Sequence, residues 1–374
     1  MSKKNKPALH VKPVKPSQVE PSQIEPVQIE PAQAEQTPGE QAQIEQTPGE
    51  PEQTEATESL SQTGQPLTLG TFAHQTITEQ VRRILKQEGQ VLADKDPEHL
   101  HQMRVGTRRL RTALKVFGEA IALPKKAGEK SVKSLAKSLG DLRDLDVQIA
   151  TLEEDYLPQL DGKEQKSLQK GIDNLRKQRR KAFDQVEQAL HSKQYQAMKD
   201  AYQDWLQEPH YQAIAQLSLR PILPDLLSPL MSELLLHPGW LIPQAALSPE
   251  TSPVLHDLRK ACKRVRYQAE FFEEICGSEF KGWVRELKTI QDSLGDVQDG
   301  QVLLDFLPTY LAAGEDSPNL RHRIRQQQQE AIADWDQLRE RYLDPAFRQH
   351  LRQLILSTAH EPTPTASEPD KSEG

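Results

Sequence analysis

The chain has 374 residues, a formal net charge of −8 and 27% charged residues. Residues 1–66 carry five Lys and ten Glu, and residues 358–374 carry one Lys and four acids, so residues 67–357 are electrically neutral. An acidic total therefore does not exclude a polyanionic partner, and the distribution of charge decides. The composition does exclude a disulfide scaffold. Only Cys262 and Cys276 are present, and on one continuous helix they would stand about 21 Å apart. No apolar run follows Lys3, Lys4 and Lys6, and the most apolar stretch, Leu219 to Ile242, is broken by Pro221, Pro224, Pro229 and Pro238. Neither a signal peptide nor a membrane span is expected, and a reducing, cytoplasmic setting is the default.

In chain order, residues 16–55 repeat a five-residue unit (Pro-Ser-Gln-Val-Glu, Pro-Ser-Gln-Ile-Glu and variants). Such a tract buries too little apolar surface to offset its ordering entropy. Residues 1–66 and 358–374 are expected to be disordered tails, the acidic first of which could recruit a protein partner. Periodic segments predict helices over about 71–94, 97–120, 126–156 and 163–207, then about 222–236, 253–276, 278–312 and 318–356. Alternating β-branched runs are missing. The expected fold is all-α: two four-helix bundles related by a pseudo-twofold axis and an internal duplication, with a first repeat over about 67–210 and a second over about 218–357.

The duplication is read from two blocks. Leu100 to Arg111 and Leu255 to Arg266 each place a histidine first, His101 or His256, then Arg or Lys at offsets 3, 7, 8 and 10. At roughly 100° per residue, His101, Arg104, Arg108, Arg111 and Lys115 share an arc of about 80°. Met103, Gly106, Leu110, Ala113, Leu114 and Phe117 form a separate apolar face, and Leu258, Ala261, Val265, Ala269 and Phe272 repeat it. Asp96-Pro97 and Ser252-Pro253 supply an N-cap followed by proline at the first helical position. In the second block, Leu139-Gly-Asp-Leu-Arg-Asp-Leu-Asp-Val147 matches Leu294 to Val302 at the same spacing of 155 residues. A helix does not need a basic stripe to fold, so two copies suggest two helices facing one anion.

These blocks resemble the CHAD family, the conserved-histidine α-helical domain. The resemblance rests on Asp96-Pro97-Glu98, the His101 to Arg111 stripe, Leu139-Gly-Asp141 with Asp144, His256-Asp-Leu-Arg-Lys260 and Leu294-Gly-Asp296, and spans about 67–357. It implies two helical bundles around a basic central channel, binding of inorganic polyphosphate and association with polyphosphate granules. The Glu-x-Glu-x-Lys pattern of the triphosphate-cleaving domain often fused to this family is missing.

The candidate polyphosphate ligands are His101, Arg104, Arg108, Arg109, Arg111, Lys133, Lys137 and Arg143 from the first half. The second half offers His256, Arg259, Lys260, Lys263, Arg264, Arg266 and Lys288. Arg109 and Arg264 lie at the edge of their stripes. Lys115 becomes Glu270, Lys137 becomes Asp292 and Arg143 becomes Gln298 in the second copy, so the first half is expected to carry more of the binding. Asp141, Asp144 and Asp146 invite a metal reading, but Asp146 becomes Gln301 in the second copy, and Asp141 and Asp144 read as partners that orient neighbouring arginines. Gly140 and Gly295 read as points of close helix approach. No catalytic constellation, metal or cofactor is expected, and neither is a membrane or a specific nucleic acid as partner. The alternatives are an enzyme acting on polyphosphate or a triphosphate, and a generic polyanion or nucleic-acid binder.

Overall fold

The computed structural model describes residues 67–357 apart from 161, 249 and 311–316, and the two tails expected to be disordered lie outside the described residues. The described part is helical, with isolated bridges Thr68–Ser218 and Ile121–Tyr211 in place of any strand among the described residues.

Helix α1 spans Leu69–Ala93 and α2 Pro97–Phe117. Between them Asp94 takes a left-handed conformation (φ 47°), which an Asp side chain tolerates better than most. Asp96 then caps α2: its Oδ1 accepts from the Glu98 N–H at 2.8 Å, and Pro97 opens the helix. Helix α3 spans Glu129–Thr151 and continues as a π-helical turn, Leu152–Tyr156. Helices α4 (Gly162–Leu190) and α5 (Lys193–Gln207) follow, and then α6 (Leu219–Leu235). Pro224 and Pro229 lie inside α6. Burial of Leu219, Leu223, Leu227, Met231, Leu234 and Leu235 holds this helix where propensity does not. Helix α7 is Ser252–Ala269, α8 the single turn Glu273–Cys276 and α9 Ser278–Tyr310. Helices α10 (Pro318–Ala331), α11 (Trp335–Leu343) and α12 (Pro345–Ser357) complete the order.

Several boundaries differ from the sequence expectation. The segment 163–207 breaks at Ser192, whose hydroxyl caps α5 by accepting from the Tyr195 N–H at 3.1 Å. The segment 318–356 breaks twice, before Trp335 and at Asp344-Pro345. Ser252 does not cap α7. Thr251 precedes that helix, with its hydroxyl turned back to the Ala246 carbonyl at 2.9 Å. The cysteines sit on two helical segments, not one, and are not joined by a disulfide.

The pairing order repeats along the chain. Helices α1, α2, α3 and α4 pack each on the next, and so do α6, α7, α9 and α10. One continuous hydrophobic core runs through both halves, from Leu69 to Ile355. A smaller core gathers Leu152, Tyr156, Leu168, Ile172 and Leu175 with Leu307, Leu320 and Ile324. Helices approach closely at Gly106, where an added Cβ would stand 3.1 Å from Ile84 Cγ1, and at Gly300, where it would stand 2.7 Å from Gln328 Cγ. They do not at Gly140, where a Cβ would meet nothing within 4 Å. Trp205, Trp240, Trp283 and Trp335 are all buried. Trp240 stacks on Tyr342 with ring centroids 4.3 Å apart.

Candidate functional site

The two basic helices face each other. Their apolar faces set this: Met103, Leu110 and Phe117 on α2, Leu258 and Val265 on α7, and Phe272 in the 3-10 turn that follows it, are at most 2% exposed. At the C-terminal ends Phe117 contacts both Phe271 (6.0 Å) and Phe272 (6.2 Å), and Phe72 of α1 stacks on Phe272 at 5.6 Å. This aromatic cluster joins the helix ends.

On α2, His101 and Arg104 are buried, and Arg108, Arg109 and Arg111 are half-buried. Arg104 Nη2 lies 3.6 Å from Asp144 Oδ1 on α3. The Nε atoms of Arg104, Arg111 and Arg143 are buried without a hydrogen-bond partner. Burial pushes the Arg143 guanidinium down, and Asp146 and Glu98 oppose the shift. Burial pushes the Asp141 carboxyl up, and Lys137 and Arg104 pull it back. Asp141 and Asp144 thus stand among the cations of α2 and α3.

On α7 the equivalent arginines are tied to the protein. Arg259 Nε donates to the Gln291 carbonyl at 3.3 Å, and Arg266 Nε donates to Gln291 Oε1 at 3.1 Å. His256 Nδ1 is buried without a partner. Burial, followed by Lys260 and Arg259, holds the His256 imidazole below its ordinary value.

Two residues join the stripes. Glu270 accepts from Arg266 Nη1 at 2.6 Å and from Arg109 Nη2 at 3.2 Å, bridging α7 to α2. Tyr267 is buried and carries Arg108 at 4.3 Å, Arg266 at 4.4 Å and Lys263 at 5.9 Å from its ring centroid. Cations gathered around one aromatic ring are stabilised by its quadrupole.

Other candidate residues lie outside this cluster. Arg264 is exposed and bonds Glu233 on α6, and Lys260 is exposed and bonds Asp257 at 3.2 Å. Lys133 and Lys137 are exposed on α3, and Lys288 is half-buried on α9. Arg143 also lines a cavity of about 690 Å³ whose other walls include Glu154, Asp155, Asp296, Asp299 and Glu330, so it stands between a basic and an acidic region. Asp146 is held by Arg179 of α4, whose Nε donates at 2.6 Å while its Nη atoms grip Asp94 at 2.7 Å. Among the described residues no group of three or more His, Cys, Asp or Glu is arranged to hold a metal ion. No helix of the described residues is long and apolar enough to cross a membrane.

Sequence reasoning missed Tyr267, Gln291 and Arg179, and took Glu270 only as a lost cation. Gln291 left a trace, since it stands 155 residues after Ala136 where the repeat would place an alanine. Nothing in the sequence shows that its amide oxygen reaches Arg266.

The sequence profile of the CHAD domain matches residues 75–308. Among solved structures, the CHAD domain from the plant Ricinus communis is 24% identical, over 78% of this chain and 92% of that one, with a TM-score of 0.48. PptA from Streptomyces chartreusis is 15% identical, over 79% of this chain and 99% of that one, with a TM-score of 0.50, a likeness of fold alone. No curated protein matches the chain.

Proposed function

The chain belongs to the CHAD domain family, and from that premise we propose that it binds inorganic polyphosphate, without turning it over, in a basic channel between α2 and α7. The observation that carries this reading is the set of buried, unpartnered Nε atoms of Arg104, Arg111 and Arg143. A buried donor left unmade costs about 1–3 kcal/mol. Three such donors on α2 and α3 favour an acceptor from outside the chain. Phosphoryl oxygens suit arginine forks, and repeated tetrahedral groups suit a row of them.

His101 and His256 would assist as phosphate contacts. Lys133, Lys137, Lys263 and Lys288 would add point charge along the bound chain. Tyr267 holds its cations against a buried ring and offers no exposed face for base stacking, which disfavours single-stranded nucleic acid as the ligand. A cytoplasmic location at polyphosphate granules follows from this reading.

The test is calorimetric titration of the full chain with long-chain polyphosphate at two salt concentrations, with duplex DNA as competitor. We expect tight binding that weakens steeply with salt through counterion release and resists DNA. Absence of binding, or equal displacement by DNA, would reduce the stripes to a generic anion surface. Release of orthophosphate during the titration would favour an enzyme instead.

A further inference from the structure

We propose that Glu270 is a built-in competitor for the site, a carboxylate that occupies Arg109 and Arg266 until the polyanion displaces it. The inference rests on the polyphosphate reading above and deepens it. Glu270 gives one oxygen to each helix: Oε2 to Arg109 of α2 and Oε1 to Arg266 of α7. Two acceptor oxygens on one anionic group, shared between facing arginines, is the arrangement a phosphoryl group would offer in the same place. All three side chains are mostly enclosed, with 11% of Arg109, 6% of Arg266 and 13% of Glu270 exposed. A third guanidinium, Arg108, shares the Tyr267 ring with Arg266.

Two further observations support competition over simple stapling. Glu270 is the C-cap residue of α7, where the helix dipole disfavours a carboxylate. Its charge there is offset by Arg266, one turn back on α7, and by Arg109 across on α2. The Phe117, Phe271 and Phe272 cluster also joins the same helix ends, so the ion bridge is not the sole contact between them. At the equivalent position of the first stripe stands Lys115, which is exposed. One end of the site therefore holds an internal anion that the other stripe lacks.

The experiment titrates long-chain polyphosphate into the full-length wild type, Glu270→Gln and Glu270→Asp over a series of salt concentrations, with thermal melts of each protein without ligand. Glu270→Gln is expected to bind roughly 3–10-fold more tightly at low salt. Its plot of log K against log salt should steepen by about 0.7–0.9 for each arginine freed to a phosphate. Its ligand-free melting temperature should fall, and saturating polyphosphate should restore it. Glu270→Asp keeps the charge, cannot span both arginines and should fall between the two, which keeps the test decisive if the glutamine variant folds poorly. Equal or weaker binding by folded Glu270→Gln, or weaker binding by Glu270→Asp, would make Glu270 a positioning residue and overturn competition. A wild type and variants that all fail to bind would instead overturn the polyphosphate reading itself, and this inference with it.

Discussion

Helices α2 and α7 carry nearly the same basic stripe, yet the protein treats their arginines differently. Arg104 corresponds to Arg259, and Arg111 to Arg266, at the spacing of 155 residues. In α2 the Nε atoms of both have no hydrogen-bond partner. In α7 both donate to Gln291, and Arg266 also bonds Glu270. Substitutions at two equivalent positions accompany the difference, Ala136 against Gln291 and Lys115 against Glu270. The pattern of charge along a helix therefore does not say which cations are available. The partners on neighbouring elements do: in α7 they tie Arg259 and Arg266 to Gln291 and Glu270, whereas Arg104 and Arg111 of α2 keep Nε donors without a hydrogen-bond partner.

The sharpest way to break this comparison is to truncate the two pairs separately. Arg104→Ala with Arg111→Ala should lower polyphosphate affinity by about 100-fold or more, at about 1.5–3 kcal/mol per charge-assisted contact. The fold should survive at the cost of the Arg104–Asp144 ion pair, since the Nε atoms removed have no hydrogen-bond partner. Arg259→Ala with Arg266→Ala should chiefly cost stability, about 3–5 kcal/mol, because it strips Gln291 and Glu270 of buried partners. Calorimetry and thermal melts on both variants read the two effects. A second pair that lost more affinity than the first, with its melting temperature intact, would erase the distinction.

The histidine of the α7 stripe gives a smaller test. Burial, Lys260 and Arg259 hold His256 below its ordinary value, so the folded protein resists its protonation. Without ligand, this group's stabilising contribution is present above the unfolded value, about 6.5, and is lost as pH falls below it. A bound polyanion reverses the preference by favouring the imidazolium. Polyphosphate affinity should therefore rise several-fold between about pH 7.5 and about pH 5.5. His256→Gln should remove most of that rise. An unchanged pH response in this variant would take His256 out of the site.

The sequence was most legible where burial has a period. The apolar faces of both stripe helices, such as Met103, Gly106, Leu110, Ala113 and Phe117, are buried as the 3.6-residue spacing requires. Breaks in long helices were not legible, because apolar periodicity carries across Ser192 while a single hydroxyl ends the run. Gly140 misled for a related reason. A glycine marks either close packing or open space, and only the neighbouring helix tells which. Within the candidate site, the stripes could be read directly. Gln291, Tyr267 and the bridging of Glu270 could not, since each acts on a residue of another helix or through a contact that side-chain geometry alone decides.

The starts of the two helices sharpen the comparison at the smallest scale. Both read as a cap followed by proline, and only one is capped by the expected side chain. Asp96 Oδ1 accepts from the Glu98 N–H at 2.8 Å. At the start of α7 the Thr251 hydroxyl is turned instead to the loop behind it, donating to Ala246 O and accepting from the Ser248 N–H, both at 2.9 Å. Asp96→Ala should thus destabilise the fold by about 1 kcal/mol, the usual loss for an N-cap. Ser252→Ala should change stability by no more than about 0.5 kcal/mol. Chemical denaturation of both variants resolves the difference. Equal losses would mean that Ser252 caps α7 after all, and that the two helices begin as alike as their sequences suggest.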